Sequence, residues 1–114
     1  MDYAKILTEA HAAASAAQVG MTDNPRAFDC GFAWVIIDGQ DGLARYCRAE
    51  IKRAGGERQA SRIFGGKGYP KGWQFWKPGN FNGQSVGVHE AGARAFRDKL
   101  AEYGIRADVG SRLD

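Results

Sequence analysis

The chain is poor in the features that would tie it to a metal, a disulfide scaffold or a membrane. It has two cysteines, Cys30 and Cys47. That is too few for a disulfide framework, and both are expected to be small buried residues. Cysteines and histidines (His11 and His89) lie far apart, with no CxxC and no HExxH spacing. No metal site and no cofactor are expected from them. No apolar run approaches the roughly 20 residues that cross a bilayer, so no membrane association is expected. The start, Met1-Asp2-Tyr3-Ala4-Lys5, shows no basic stretch followed by an apolar core. A secretory leader is therefore not expected, and a cytoplasmic setting is. No repeat or linker interrupts the 114 residues, so residues 1–114 are read as one domain. A chain of this length buries roughly 60–70% of its unfolded surface and needs no staples. A hydrophobic content of 44% is that of a globular chain rather than a disordered one.

Catalytic patterns are missing as well. Ser85, Ser111, Cys30, His89 and Asp108 combine on paper, but no nucleophile-elbow pattern supports any grouping. His89, at a helix start, is the residue an enzyme would use; the favoured alternative is a solvent-facing first-turn histidine. GGKGYPKG (Gly65–Gly72) has no Ser or Thr after either lysine and does not join a strand to a helix. It fails both the P-loop and the dinucleotide fingerprints. What remains is backbone N–H groups that glycine leaves exposed to an anion, with lysine charge beside them. The chain is expected not to be an enzyme.

What is present is an uneven charge. The formal net charge is +3, yet residues 1–44 carry −4, residues 45–81 carry +7 and residues 82–114 balance. Such a field concentrates anionic partners near one surface if linear clustering becomes spatial clustering. The plainer reading is a solvated basic face. The same segment is rich in aromatics: Phe64, Tyr69, Trp73, Phe75, Trp76 and Phe81 fall within 18 residues, with Lys67, Lys71 and Lys77 among them. Bases stack on aromatic planes while lysines hold phosphates. Against this, tryptophans in strands usually belong to a core or an interface.

Periodicity gives the architecture. Residues 2–19 read as an Ala-rich helix capped by Asp2, with Tyr3, Ile6, Leu7, Ala10, Ala14 and Ala17 at helical spacing. Asn24-Pro25 marks a turn. GFAWVII (31–37) is a strand apolar on both faces, so both should be covered. The N-terminal helix or a second copy of the chain could cover the far face. Asp41 caps a helix over 42–54, ended by Gly55-Gly56. Residues 55–71 form a long connection with room for a helical turn at 57–64. GWQFWK (72–77) and QSVGV (84–88) read as strands, and 89–103 as a helix. Gly104-Ile105 then forms a left-handed cap, and 105–112 a half-buried strand. The expected fold is α+β: an N-terminal helix followed by a ferredoxin-like βαββαβ unit with a four-stranded antiparallel sheet.

The Ala-rich first helix, CGFAWV (Cys30–Val35), GWQFWKPG (Gly72–Gly79), QSVGVHEAGARAF (Gln84–Phe96) and GIRADVGSRLD (Gly104–Asp114) resemble small hypothetical proteins of tailed bacteriophages and prophages. The resemblance spans most of the chain. It implies an accessory role in the cytoplasm of the infected host, and it brings no catalytic residues to carry over. Phage proteins of this size often act by binding nucleic acid, host factors or defence components.

Two functional classes follow. The first is a non-enzymatic phage accessory protein that binds an anionic ligand, nucleic acid or nucleotide, through segment 52–77. Arg53, Arg58, Arg62, Lys67 and Lys71 would supply charge, and Tyr69 and Trp73 would stack. The alternative is a protein–protein interaction module that inhibits a host or anti-phage defence complex, or a homodimer formed through the sheet face.

Overall fold

The computed structural model describes residues 1–21, 29–56, 58–69 and 71–113, with the backbone alone at 58 and 59. The turn expected at Asn24-Pro25 lies outside these residues. The elements are α1 (Tyr3–Val19), β1 (Gly31–Ile37), α2 (Gly42–Arg53), α3 (Arg58–Phe64), β2 (Gly66–Lys67), β3 (Trp73–Trp76), α4 (Val86–Glu102) and β4 (Ala107–Leu113). The four strands form one antiparallel sheet in the order β2-β3-β1-β4. The molecule is α+β, with the N-terminal helix expected from the alanine spacing.

Local chemistry sets the helix ends. The Asp2 carboxylate accepts from Lys5 N–H at 3.1 Å, and the Asp41 carboxylate accepts from Leu43 N–H at 2.8 Å. Gly104, at φ 77°, lets α4 close with Ile105 N–H on the Leu100 carbonyl and Gly104 N–H on Ala101. Buried Ile105 meets Leu100 in the core, as the left-handed cap requires.

The core lies on one side of the sheet. Ile6, Leu7, Ala10 and Ala14 of α1, Leu43, Ala44 and Cys47 of α2, and Ala93, Phe96 and Leu100 of α4 pack on Ala33, Val35, Ile37, Trp73 and Phe75. The small residues of α1 let it lie closely along α4. The Tyr103 hydroxyl of α4's end donates to the Glu9 carboxylate at 2.8 Å. The opposite face of β1 and β3 carries Phe32, Trp34, Ile36, Gln74 and Trp76, which are half-buried or exposed. The expectation that α1 could cover this far face is corrected: its buried stripe joins the same core as α4.

Two further expectations change. Residues 84–88 do not form a strand; a single bridge pairs Cys30 with Ser85, and α4 starts at Val86. The reason is periodicity: Val86, His89, Ala93, Phe96 and Leu100 make one continuous buried helical stripe. The fourth strand is instead the two-residue β2, hydrogen-bonded to β3 opposite Trp73 and Gln74. Cys30 is exposed rather than buried, whereas Cys47 is buried as expected.

Candidate functional site

β3 runs beside β1 as far as Lys77, whose N–H bonds the Ala33 carbonyl at 3.1 Å. Pro78 to Gly83 then leave the sheet, and Gly31 N–H bonds the Gln84 carbonyl at 2.8 Å where the chain returns. This excursion forms one wall of a groove of about 1030 Å³. Thr8, His11, Ala12 and Ser15 of α1 form the second wall, and Ser61, Arg62 and Ile63 of α3 the third. Trp76, Lys77, Gly79, Asn80, Phe81 and Asn82 complete the lining.

Each wall is fixed from behind. Gln18, buried on the last turn of α1, donates from its amide to the Pro78 carbonyl at 2.8 Å. Its carbonyl accepts from Phe81 N–H at 3.3 Å. A side chain at Gly79 or Gly92 would collide with this amide, so the two glycines make room for it. His11 bridges α1 and α3: its Nε2 lies 2.9 Å from the Ile63 carbonyl, and its ring meets Phe96 edge-on. Burial lowers the His11 pKa, and the Ile63 contact partly offsets this.

Charge in the groove has one sign. Arg62 and Lys77 are cations, and among the described residues no carboxylate lines it. Lys77 has φ 50°, the one positive φ outside glycine among the described residues. Such backbone strain persists where surrounding contacts enforce it and is common at binding sites. Its Nζ sits 5.3 Å from the Phe32 ring centroid. Trp76 is 43% exposed and stacks on Trp34 at 5.4 Å, with planes 18° apart. Phe32 lies 5.6 Å from Trp76 on its other side. Trp34 in turn covers Gly110 of β4, its partner in register, where any side chain would clash with the indole.

Behind the excursion, His89 is fully buried rather than solvent-facing, which corrects the first-turn expectation. Its Nε2 lies 2.9 Å from the Gly83 carbonyl, between the rings of Phe32 and Phe81. Its Nδ1 and the Ser85 hydroxyl are buried with no hydrogen-bond partner among the described residues. Burial lowers the His89 pKa, the Gly83 contact opposes this, and the Lys77 charge adds to it. The arrangement disfavours the charged imidazolium and holds the ring by the Gly83 carbonyl and the two flanking aromatic rings.

The residues singled out from the sequence are dispersed. Arg62 lines the groove. Arg53 is exposed at the end of α2 and pairs with Glu50 at 3.4 Å. Arg58 has its side chain outside the described residues. Lys67 and Tyr69 are exposed, Tyr69 at 90%. Lys71 borders a separate depression beside Asp38, Asp41 and Asp108. Trp73 is 7% exposed, donates from its indole to the Phe64 carbonyl at 2.7 Å and is covered by the Arg48 guanidinium. Its ring packs into the core, as the plainer reading of the strand tryptophans had it. Sequence reasoning missed Trp76, Lys77, Phe81 and His11 as groove residues. The first three stood within the aromatic and basic cluster; nothing marked His11.

Among the described residues no group of three or more His, Cys, Asp or Glu side chains could hold a metal ion, and no helix is long and apolar enough to cross a membrane. No protein-family model, curated protein or solved structure matches the chain.

Proposed function

We propose that the protein is a non-enzymatic binder of an anionic ligand, nucleic acid or nucleotide, and that the groove between α1, α3 and the Pro78–Gly83 excursion is its site. The observation that carries this reading is the groove's lining: Arg62 and Lys77 with no opposing carboxylate among the described residues, together with Asn80, Asn82, Trp76 and Phe81. Cations and amides suit phosphate, and aromatic planes suit a base. Relative to segment 52–77, the reading moves the site toward residues 76–82 and keeps Arg62. The phage resemblance supports an accessory, stoichiometric role in the host cytoplasm. The strand order β2-β3-β1-β4 supports treating residues after α1 as a ferredoxin-like βαββαβ unit, with α2 and α3 sharing the first crossover.

The test is titration with nucleotides and short oligonucleotides at several salt concentrations. Affinity falling steeply with salt, and falling further in the Arg62→Ala/Lys77→Ala variant, is the expected result. Equal binding by that variant removes the reading.

A second reading has its own observation. The half-exposed Trp34 and Trp76 on the sheet's far face would suit a protein partner, such as a host or defence complex, or a second copy. A stoichiometric protein partner recovered from host lysate, with a 260/280 nm absorbance ratio free of nucleic acid, would favour it.

A further inference from the structure

The groove and the far face of the sheet share a residue. Trp76 lines the groove, and it also stands in the ring row Phe32–Trp76–Trp34 on the face of β1 and β3 that the described helices leave out of the core. Cations flank this row from both sides. Lys77 and Arg62 line the groove, and Lys77 reaches the row itself, with Nζ 5.3 Å from the Phe32 ring centroid. Arg112 of β4, exposed, stands opposite Phe32 in register on the other. Negative charge collects at the far end, where Asp108 stands opposite Ile36.

A mononucleotide has one base and one phosphate cluster, and it would use one flank. Cations on both sides of a stacking platform match a chain in which phosphates precede and follow each stacked base. Resting on the function proposed above, we propose that the ligand is a single-stranded nucleic acid. It lies across the far face and into the groove, with at least one base on the Trp76–Trp34 platform and phosphates at Lys77, Arg62 and Arg112. Trp34 is held flat over Gly110, so this platform is formed before the ligand arrives.

The experiment compares uridine monophosphate with octamers of uridine and of thymidine, by competition against a fluorescent octamer and by tryptophan fluorescence. Octamer binding should be at least tenfold tighter than mononucleotide binding, and stacking should quench indole emission. Trp76→Ala should weaken octamer binding about tenfold or more. Log affinity against log salt should have a slope of about −2, from three phosphate contacts at about 0.7 each, and Arg112→Ala should reduce it by about 0.7. Arg112 is exposed, so this arm does not depend on how well the Trp76 variant folds. Binding of either octamer supports the inference, and a preference between them reports the 2′-hydroxyl. Mononucleotide binding as tight as octamer binding overturns the strand inference and leaves the groove reading standing. Octamer affinity and salt slope unchanged in both variants also overturn it. Absence of binding by all probes overturns both.

Discussion

The buried Gln18 amide donates to the Pro78 carbonyl at 2.8 Å, across 60 residues of sequence. The same side chain accepts from Phe81 N–H, so one amide from α1 satisfies two backbone groups of the excursion that walls the groove. Buried backbone groups that lose such partners cost about 1–3 kcal/mol. Gln18→Ala should therefore destabilise the protein by that amount in urea unfolding and weaken ligand binding as well, because Asn80, Phe81 and Asn82 lose their anchor. Glu in its place keeps one acceptor and loses the donor. It should restore neither property.

Stability should depend on the two histidines with a definite sign. Burial holds the folded-state pKa of both His11 and His89 below the ordinary value of 6.5. The unfolded chain therefore binds more protons than the native one as pH falls through that value. The contribution is fully present above pH 6.5 and is lost as pH drops toward the folded pKa. His89 faces the Gly83 carbonyl, Lys77 and the rings of Phe32 and Phe81, none of which would stabilise an imidazolium strongly enough to reverse this. His89→Gln, which keeps a donor for Gly83, should flatten the decline between pH 7.5 and 5.5 in chemical-denaturation curves. An unchanged slope would show that His89 titrates normally in the native state.

The elements that were legible in the sequence are those with long, single-period patterns. α1 and α2 each present an unbroken stripe with a capping Asp, β1 is a continuous apolar run ended by Asp38-Gly39, and all three form close to their expected bounds. QSVGV was not legible because five residues cannot separate a period of 2 from 3.6; only the stripe running on to Leu100 decides it. β2 is two residues long, shorter than any pattern. The alternation of WQFW put Trp73 and Trp76 on opposite faces, and the polar Gln74 beside Trp76 marked the Trp73–Phe75 face as the one for the core. The groove was hidden for a different reason. Its walls come from residues near 11, 62 and 80, and their meeting depends on tertiary contacts such as His11 with Ile63 and Gln18 with Pro78.

The two cysteines should react differently. Cys30 is exposed, and Cys47 is fully buried under α2, where burial pushes its thiol up to about 12. A thiolate is the reactive form. One equivalent of a disulfide reagent should react rapidly at pH 8, and the second only in denaturant. Rapid reaction of both thiols would mean that α2 opens readily from the core.

Lys77 allows backbone strain and charge to be separated. Its φ of 50° costs a non-glycine residue roughly 1–2 kcal/mol. Lys77→Ala removes the cation and keeps the strain, whereas Lys77→Gly removes both. The glycine variant should be about 1 kcal/mol more stable than the alanine variant. If Lys77 acts through its charge, both should weaken ligand binding equally, by about tenfold. Restored binding in Lys77→Gly would instead assign the effect to loop geometry.

Paired variants of equal charge can tell a local site from a diffuse basic field. Arg62→Ala/Lys77→Ala and Lys67→Ala/Lys71→Ala each remove two positive charges, so the long-range field falls by the same amount in both. Arg62 and Lys77 line one groove, whereas Lys67 is exposed on β2 and Lys71 sits beside Asp38, Asp41 and Asp108. Screening beyond about 8–10 Å at physiological salt makes local position dominate. At 150 mM salt the first pair should lower affinity at least tenfold more than the second, and at 10 mM the two effects should converge. Equal losses at both salt concentrations would mean that the ligand is held by the diffuse basic field rather than by the groove.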